Sequence, residues 1–120
     1  MPEYESFHVR DEGAVIVIEF KHQELSGIAV HDRLSSDLNH LIEDRLPERL
    51  LISFAGVKIA SSDAIGVFIQ ARKQLKPSGG VVKMCCMHEN VRLSFQILKL
   101  EGSLFEILES EADGIAAFDR

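Results

Sequence analysis

Ser61-Ser62-Asp63-Ala64-Ile65-Gly66 sets two hydroxyls and a carboxylate between a short apolar run, Leu50-Leu51-Ile52-Ser53-Phe54, and an amphipathic stretch that ends near Leu75. A strand leading into a helix would bring these polar side chains to the helix mouth. There the first backbone N–H groups lack helical partners and the dipole favours negative charge. Three uses fit those residue types: a hydroxyl that accepts phosphate, a catalytic hydroxyl, or a plain helix cap. As a cap, Ser or Asp stabilises a helix by about 1 kcal/mol. In the first turn Asp63 adds roughly 0.3–1 kcal/mol through the dipole.

Other residues with reactive chemistry carry weaker patterns. Met84-Cys85-Cys86-Met87-His88 holds soft ligands of the kind that bind copper or zinc. Neighbours on a strand point to opposite faces, so Cys85 and Cys86 are expected to diverge and to behave as ordinary core cysteines. The five histidines, His8, His22, His31, His40 and His88, lack the close pairing of a zinc site. No metal and no cofactor is expected. Ser62 and His88 both follow strands and invite a small-hydrolase reading. No Gly-x-Ser-x-Gly elbow is present, however, and Asp63 has no place in such a triad. Gly79-Gly80 precedes a strand, whereas a nucleotide cradle precedes a helix. The chain is therefore not read as an enzyme.

The elements that must position these residues follow from composition and periodicity. A chain of 120 residues, 46% apolar, is read as one domain, residues 1–120, with a core of its own. The formal net charge of −6 argues against nucleic acid or an anionic membrane as partner. The two cysteines are adjacent and can close no long loop, so a secreted disulfide framework is not expected. Residues 1–5 have neither the basic nor the apolar region of a secretory signal. No stretch approaches the ~20 apolar residues of a membrane span. A cytoplasmic location is the expectation.

Residues 7–9 and 14–20 read as a hairpin around Asp11-Glu12-Gly13, the second strand being β-branched and buried on both faces. Val30, Leu34, Leu38, Leu41, Ile42 and Leu46 recur at helical spacing, and Pro47 ends that helix. Residues 50–54 form the next strand. Ala64, Val67, Phe68, Ala71 and Leu75 line the second helix, which has Arg72 and Lys73 in its last turn and stops at Lys76-Pro77-Ser78-Gly79-Gly80. Residues 81–86 are a strand. Glu89-Asn90 opens a third helix with Val91, Phe95 and Leu98 inward, ended by Gly102. Residues 104–107 are a short strand. Ser110 caps a last helix carrying Ala112, Ile115, Ala116 and Phe118. The order β-β-α-β-α-β-α-β-α predicts an α/β fold: a mixed, mostly parallel central sheet of four to five strands flanked by about four helices. The motif from Ser61 falls at the carboxyl ends of the strands, the rim where such sheets bind ligands.

From Leu50 to Ile107 the chain resembles the STAS domain family, the sulfate-transporter and anti-sigma-factor-antagonist domain, and above all its single-domain anti-anti-sigma factors. The family's usual pattern is an apolar strand, Ser-Gly-Val, two or three mixed residues, Asp-Ser-Ser/Thr-Gly-Leu-Gly, and a helix. Here the residues are Ala55-Gly56-Val57-Lys58-Ile59-Ala60 and then Ser61-Ser62-Asp63-Ala64-Ile65-Gly66. Gly79-Gly80 before a strand, and Leu98-Lys99-Leu100-Glu101-Gly102-Ser103-Leu104-Phe105, echo further family features. Aligned without gaps between Gly56-Val57 and Ile65-Gly66, Ser61 falls on the family's Asp and Ser62 on its first Ser. Asp63 then takes the phosphoacceptor Ser/Thr position, and Ala64 takes that of the Gly. Matching Ser61-Ser62 to the Ser-Ser pair instead would need an insertion, which would rotate the helix's apolar stripe by about 100°.

The resemblance implies a protein-binding module of bacterial signalling. Its expected partner is an anti-sigma factor of the histidine-kinase-like ATPase type, bound through Ser61, Ser62, Asp63, Ala64 and Gly66. In the family, phosphorylation of the Ser/Thr ends that binding; a phosphate adds roughly −1.5 to −2 charges and three acceptor oxygens. Asp63 in that position implies a chain that is not switched there, or one that mimics the phosphorylated state. Ser62 is the fallback acceptor. Arg72 and Lys73 are candidate rim contacts. A scaffold role in a larger signalling complex is the alternative, and a homodimer stays open.

Overall fold

A run such as Val15-Ile16-Val17-Ile18 has no polar face to offer water, so it needs cover on both sides. The computed structural model, which describes residues 3–119, supplies that cover. The chain begins with β1 (Phe7–Glu12), β2 (Val15–Phe20), β3 (Glu24–Leu25), α1 (Ile28–Arg45) and β4 (Arg49–Ser53). It continues through β5 (Ile59–Ala60), α2 (Ser62–Leu75), a 3₁₀ turn (Lys76–Ser78) and β6 (Val81–Cys85). α3 (Glu89–Ile97), β7 (Ile107–Leu108) and α4 (Glu111–Ala117) complete it. The main sheet has the order β1-β2-β4-β6-β7, and β3 and β5 form a separate pair. Only β1 is antiparallel to its neighbour; all other pairings are parallel. The architecture is the expected mixed α/β sheet, here with five strands and four α-helices.

Strand alternation sorts the core into two layers. Ile16, Ile18, Leu50, Ile52, Val82 and Met84 face the larger cluster, which also takes the buried residues of α1, α2 and α3. Register lines up Ile18, Ile52, Met84 and Ile107 in one row across the sheet. Val15, Val17, Leu51 and Cys85 face the other way, against Ile115 and Phe118 at α4. α4 lies close to the sheet: a Cβ on Gly114 would stand 2.8 Å from Leu51 Cδ1. For that reason its buried residues are the small Gly114 and Ala117, whereas Ala112 and Ala116 are exposed.

Other expectations shift by a turn or less. The hairpin turn is centred on Gly13, and β1 continues through Asp11 and Glu12. α1 starts at Ile28, before Val30. Leu46 leaves the helix in a left-handed conformation, φ 40°, and is exposed. α3 stops at Ile97, so Leu98 is exposed; the chain reverses through Lys99 at φ 60° and Leu100 takes the buried place. The last strand is Ile107–Leu108, beyond residues 104–106. β3 and β5 were not expected, because two residues carry no periodicity.

Cys86 is the most consequential departure. It follows the end of β6 with φ 63°, outside the extended region. That turn brings its side chain back to the Cys85 side, where it packs against the same cluster. The two sulfurs do not diverge; they lie 3.4 Å apart.

Aromatic rings meet within the larger cluster. Phe54 is wholly buried, with ring centroids 5.2 Å from Phe20, 5.4 Å from Phe68 and 6.0 Å from Phe95. It thereby ties the end of β4 to α2 and α3.

Candidate functional site

The parallel strands end at one rim, and the path from β4 to α2 is built there. Phe54 N–H donates to the Cys85 carbonyl at 3.0 Å, which extends the sheet by one residue. Gly56 then takes φ 84°, a left-handed conformation open to glycine at little cost. Val57, buried, plugs the turn and donates its N–H to the Phe54 carbonyl at 2.9 Å. Lys58 N–H reaches the Gln23 carbonyl at 2.7 Å, and β5 pairs with β3 through Glu24↔Ile59 and Leu25↔Ala60. Ser61 N–H donates to the Leu25 carbonyl at 2.8 Å. The β3–β5 pair thus braces the last residue before α2 from outside the main sheet.

Ser61 is the cap. Its backbone is extended, φ −76° and ψ 163°, and its Oγ accepts the Ala64 N–H at 3.2 Å. Its carbonyl accepts the Ile65 N–H at 3.0 Å. Ala64 and Ile65 are buried and anchor the first turn. Ser62 and Asp63 are exposed. Gly66 is half-buried, and a Cβ there would meet no heavy atom within 4 Å. Ser62 and Gly66 are four residues apart and so neighbours on one face of the helix. The motif divides accordingly: Ser61, Ala64 and Ile65 serve the fold, while Ser62, Asp63 and Gly66 lie toward solvent.

Ser61→Ala removes the acceptor for the Ala64 N–H and is expected to lower stability by about 1 kcal/mol. Urea denaturation reads this as a lower midpoint with an unchanged slope. Ser62→Ala, at an exposed position outside the cap, is expected to stay within about 0.5 kcal/mol of wild type.

No ion pair among the described residues involves Asp63. Arg92 on α3 is committed elsewhere, at 2.6 Å from both Glu101 and Glu109. Those hydrogen bonds push its pKa up, and the Arg92 hydrogen bond holds Glu101 below the usual carboxylate range. Arg72 and Lys73 sit at the other end of α2, about 14–15 Å along the helix from Asp63 at 1.5 Å per residue. They are not brought to the mouth; Arg72 instead lines a surface cavity with Lys76, Gly80 and Glu106. His88 is also structural, its Nδ1 accepting the Asn90 N–H at 3.2 Å as the cap of α3.

Sequence reasoning missed the apolar surface beside the motif. α3 packs along β5, and in this region Ile59, Leu93 and Ile97 are 53%, 52% and 69% exposed. Leu93 and Ile97 share one face of α3 by their spacing. Periodicity alone would have marked them only as residues off the Val91–Phe95 stripe.

Comparison with known proteins completes the description. Solved structures share the fold at low identity, among them the following three. An anti-sigma factor antagonist from Mycobacterium paratuberculosis superposes with a TM-score of 0.82 at 16% identity, over 96% of this chain and 94% of that one. An anti-sigma-factor antagonist (STAS) domain protein from Planctomyces limnophilus gives 0.81 at 18%, over 95% and 98%. The Bacillus cell fate determinant SpoIIAA in its phosphorylated form gives 0.69 at 16%, over 94% and 99%. No curated protein sequence matches the chain. The family model of the STAS domain matches residues 11–114, which is nearly the whole chain, and the protein belongs to the STAS domain family.

Proposed function

We propose that this protein is a binding module of bacterial signalling that acts as an anti-sigma factor antagonist, meeting an anti-sigma factor of the histidine-kinase-like ATPase type through the mouth of α2. It works by differential binding and catalyses no reaction. Asp63 occupies the position where relatives carry the phosphoacceptor, so the negative charge is fixed and the interaction is not switched by ATP. The observation that carries this reading is the division of the motif. Ser61 alone makes the side-chain cap, which leaves Ser62, Asp63 and Gly66 free for a partner. The direct run from β5 into the Ser61 cap supports the ungapped register that assigns Asp63 its position.

Gly66 supports the same surface. Glycine inside a helix is about 1 kcal/mol less favourable than alanine, and no packing contact at this site requires it. Close approach of a partner backbone next to Ser62 gives its absence of a side chain a purpose. Gly66→Ala is expected to raise stability by roughly 0.5–1 kcal/mol while weakening capture of a purified anti-sigma factor ATPase by at least about tenfold. Denaturation and equilibrium binding on the same variant check both halves. Unchanged affinity would remove this surface from the interface. Concentration-dependent self-association that is lost in Gly66→Ala would favour the scaffold role.

A further inference from the structure

We propose that Cys85 and Cys86 form a vicinal dithiol that low-molecular-weight disulfides oxidise reversibly to a disulfide between neighbouring residues. Both cysteines are free, with sulfurs 3.4 Å apart, about 1.4 Å more than a disulfide bond. The contact is not a consequence of the strand, which would send the side chains to opposite faces. It comes from the left-handed backbone of Cys86, φ 63°, a conformation that residues other than Gly, Asn and Asp seldom adopt. The same turn seats Cys86 against the cluster of Val15, Val17, Leu51 and Cys85 instead of on the Met84 side. Strain held at a pair of juxtaposed nucleophiles is the pattern found at functional sites.

Access divides the two roles. Cys86 is half-exposed and Cys85 is wholly buried. Burial, more than any other cause, pushes the Cys85 thiol up and keeps it protonated. Cys86 therefore attacks first. Its thiolate, having lost its proton to solvent, displaces one thiolate from the reagent's S–S bond and forms a mixed disulfide. The departing thiolate takes a proton. Cys85 then gives up its proton and attacks Cys86 Sγ, forming the Cys85–Cys86 bond and releasing the second half of the reagent as a thiol. Two electrons pass from the dithiol to the reagent, and two small thiols result.

The product is suited to reversal. Neighbouring Cα atoms are about 3.8 Å apart, shorter than the 4.4–6.8 Å usual for disulfides, so the ring is strained and readily reduced. It is also placed to be felt. The Cys85 carbonyl holds Phe54 N–H, at the start of the path to Ser61, and Cys86 N–H donates to the Leu108 carbonyl at 3.2 Å.

The test treats the folded protein with oxidised glutathione, alkylates remaining thiols with iodoacetamide in denaturant, and weighs the tryptic peptide of residues 84–92. The expected peptide is unalkylated, lighter by two hydrogens than its dithiol form, and restored by dithiothreitol. Cys85→Ser is expected to stop at a mixed disulfide on Cys86. Cys86→Ser is expected to stay unmodified while folded, and it keeps the test decisive should the first variant fail to fold. A wild-type peptide that stops at the mixed disulfide, pairs between chains or stays fully alkylated would overturn the proposal.

Discussion

Truncating Phe54 to alanine is expected to cost about 3–5 kcal/mol of unfolding free energy. The side chain is wholly buried, and its ring meets those of Phe20, Phe68 and Phe95 edge-on. Each such pair adds roughly 0.5–1.5 kcal/mol beyond burial. Three elements lose a common contact at once: β2 through Phe20, α2 through Phe68 and α3 through Phe95. A domain of this kind has only about 5–15 kcal/mol in hand, so the variant is expected to melt more than about 10 °C lower. Guanidinium denaturation checks it, with the midpoint falling and the slope kept. A loss below about 1.5 kcal/mol would mean that the rings around Phe54 close the gap, and that the rim is not pinned there.

The second large effect concerns Asp63. Replacing it by serine removes a fixed carboxylate and restores a hydroxyl at the acceptor position of the ungapped register. Asp63→Ser is expected to become a substrate of an anti-sigma factor ATPase with kinase activity. Addition of ATP should then release the complex with at least about a tenfold loss of affinity, or 1.4 kcal/mol. The charge argument sets that scale. A phosphate brings roughly −1.5 to −2 charges and three acceptor oxygens to a helix mouth, whereas the wild-type carboxylate brings a single charge and two oxygens. Wild type should hold the same partner equally well with and without ATP. The fold itself should tolerate the exchange: the Asp63 side chain is exposed, and removing it forfeits roughly 0.3–1 kcal/mol of dipole interaction. An Asp63→Ser complex indifferent to ATP, with no phosphate on the introduced serine, would reduce Asp63 to a first-turn acid.

Much of this architecture was legible in the chain. Val15-Ile16-Val17-Ile18 could only be a doubly covered strand, and the spacing of Ala64, Val67, Phe68, Ala71 and Leu75 could only be one face of a helix. With the apolar run of residues 50–54 between them, those patterns put Ser61 at a strand-to-helix junction on the carboxyl rim. What stayed illegible depended on tertiary contacts. The brace of Leu25 against Ala60 is two residues long and leaves no periodic trace. The choice of Gly114 and Ala117 over Ala112 and Ala116 as the inner face of α4 follows from how near the helix comes to Leu51. That distance is set by the partner surface, outside the helix's own sequence. The meeting of Cys85 and Cys86 hangs on a single backbone angle at the end of a strand. Alternation holds only inside strands, so a rule that is right for Met84 and Cys85 fails one residue later. Within the motif, the residue types alone did not say which hydroxyl caps the helix; the Ser61 Oγ–Ala64 N–H bond does.

The central claim is that the acceptor position at the mouth of α2 carries a permanent negative charge. Its most direct test is phosphate mapping by mass spectrometry after incubation with an anti-sigma factor ATPase, magnesium and ATP, with Asp63→Ser run alongside as the phosphorylatable control. The account predicts phosphate on the introduced serine of the control and none on Ser61 or Ser62 of the wild type. Efficient phosphorylation of wild-type Ser62 would contradict it, because the switch would then have moved by one residue and not been replaced by Asp63.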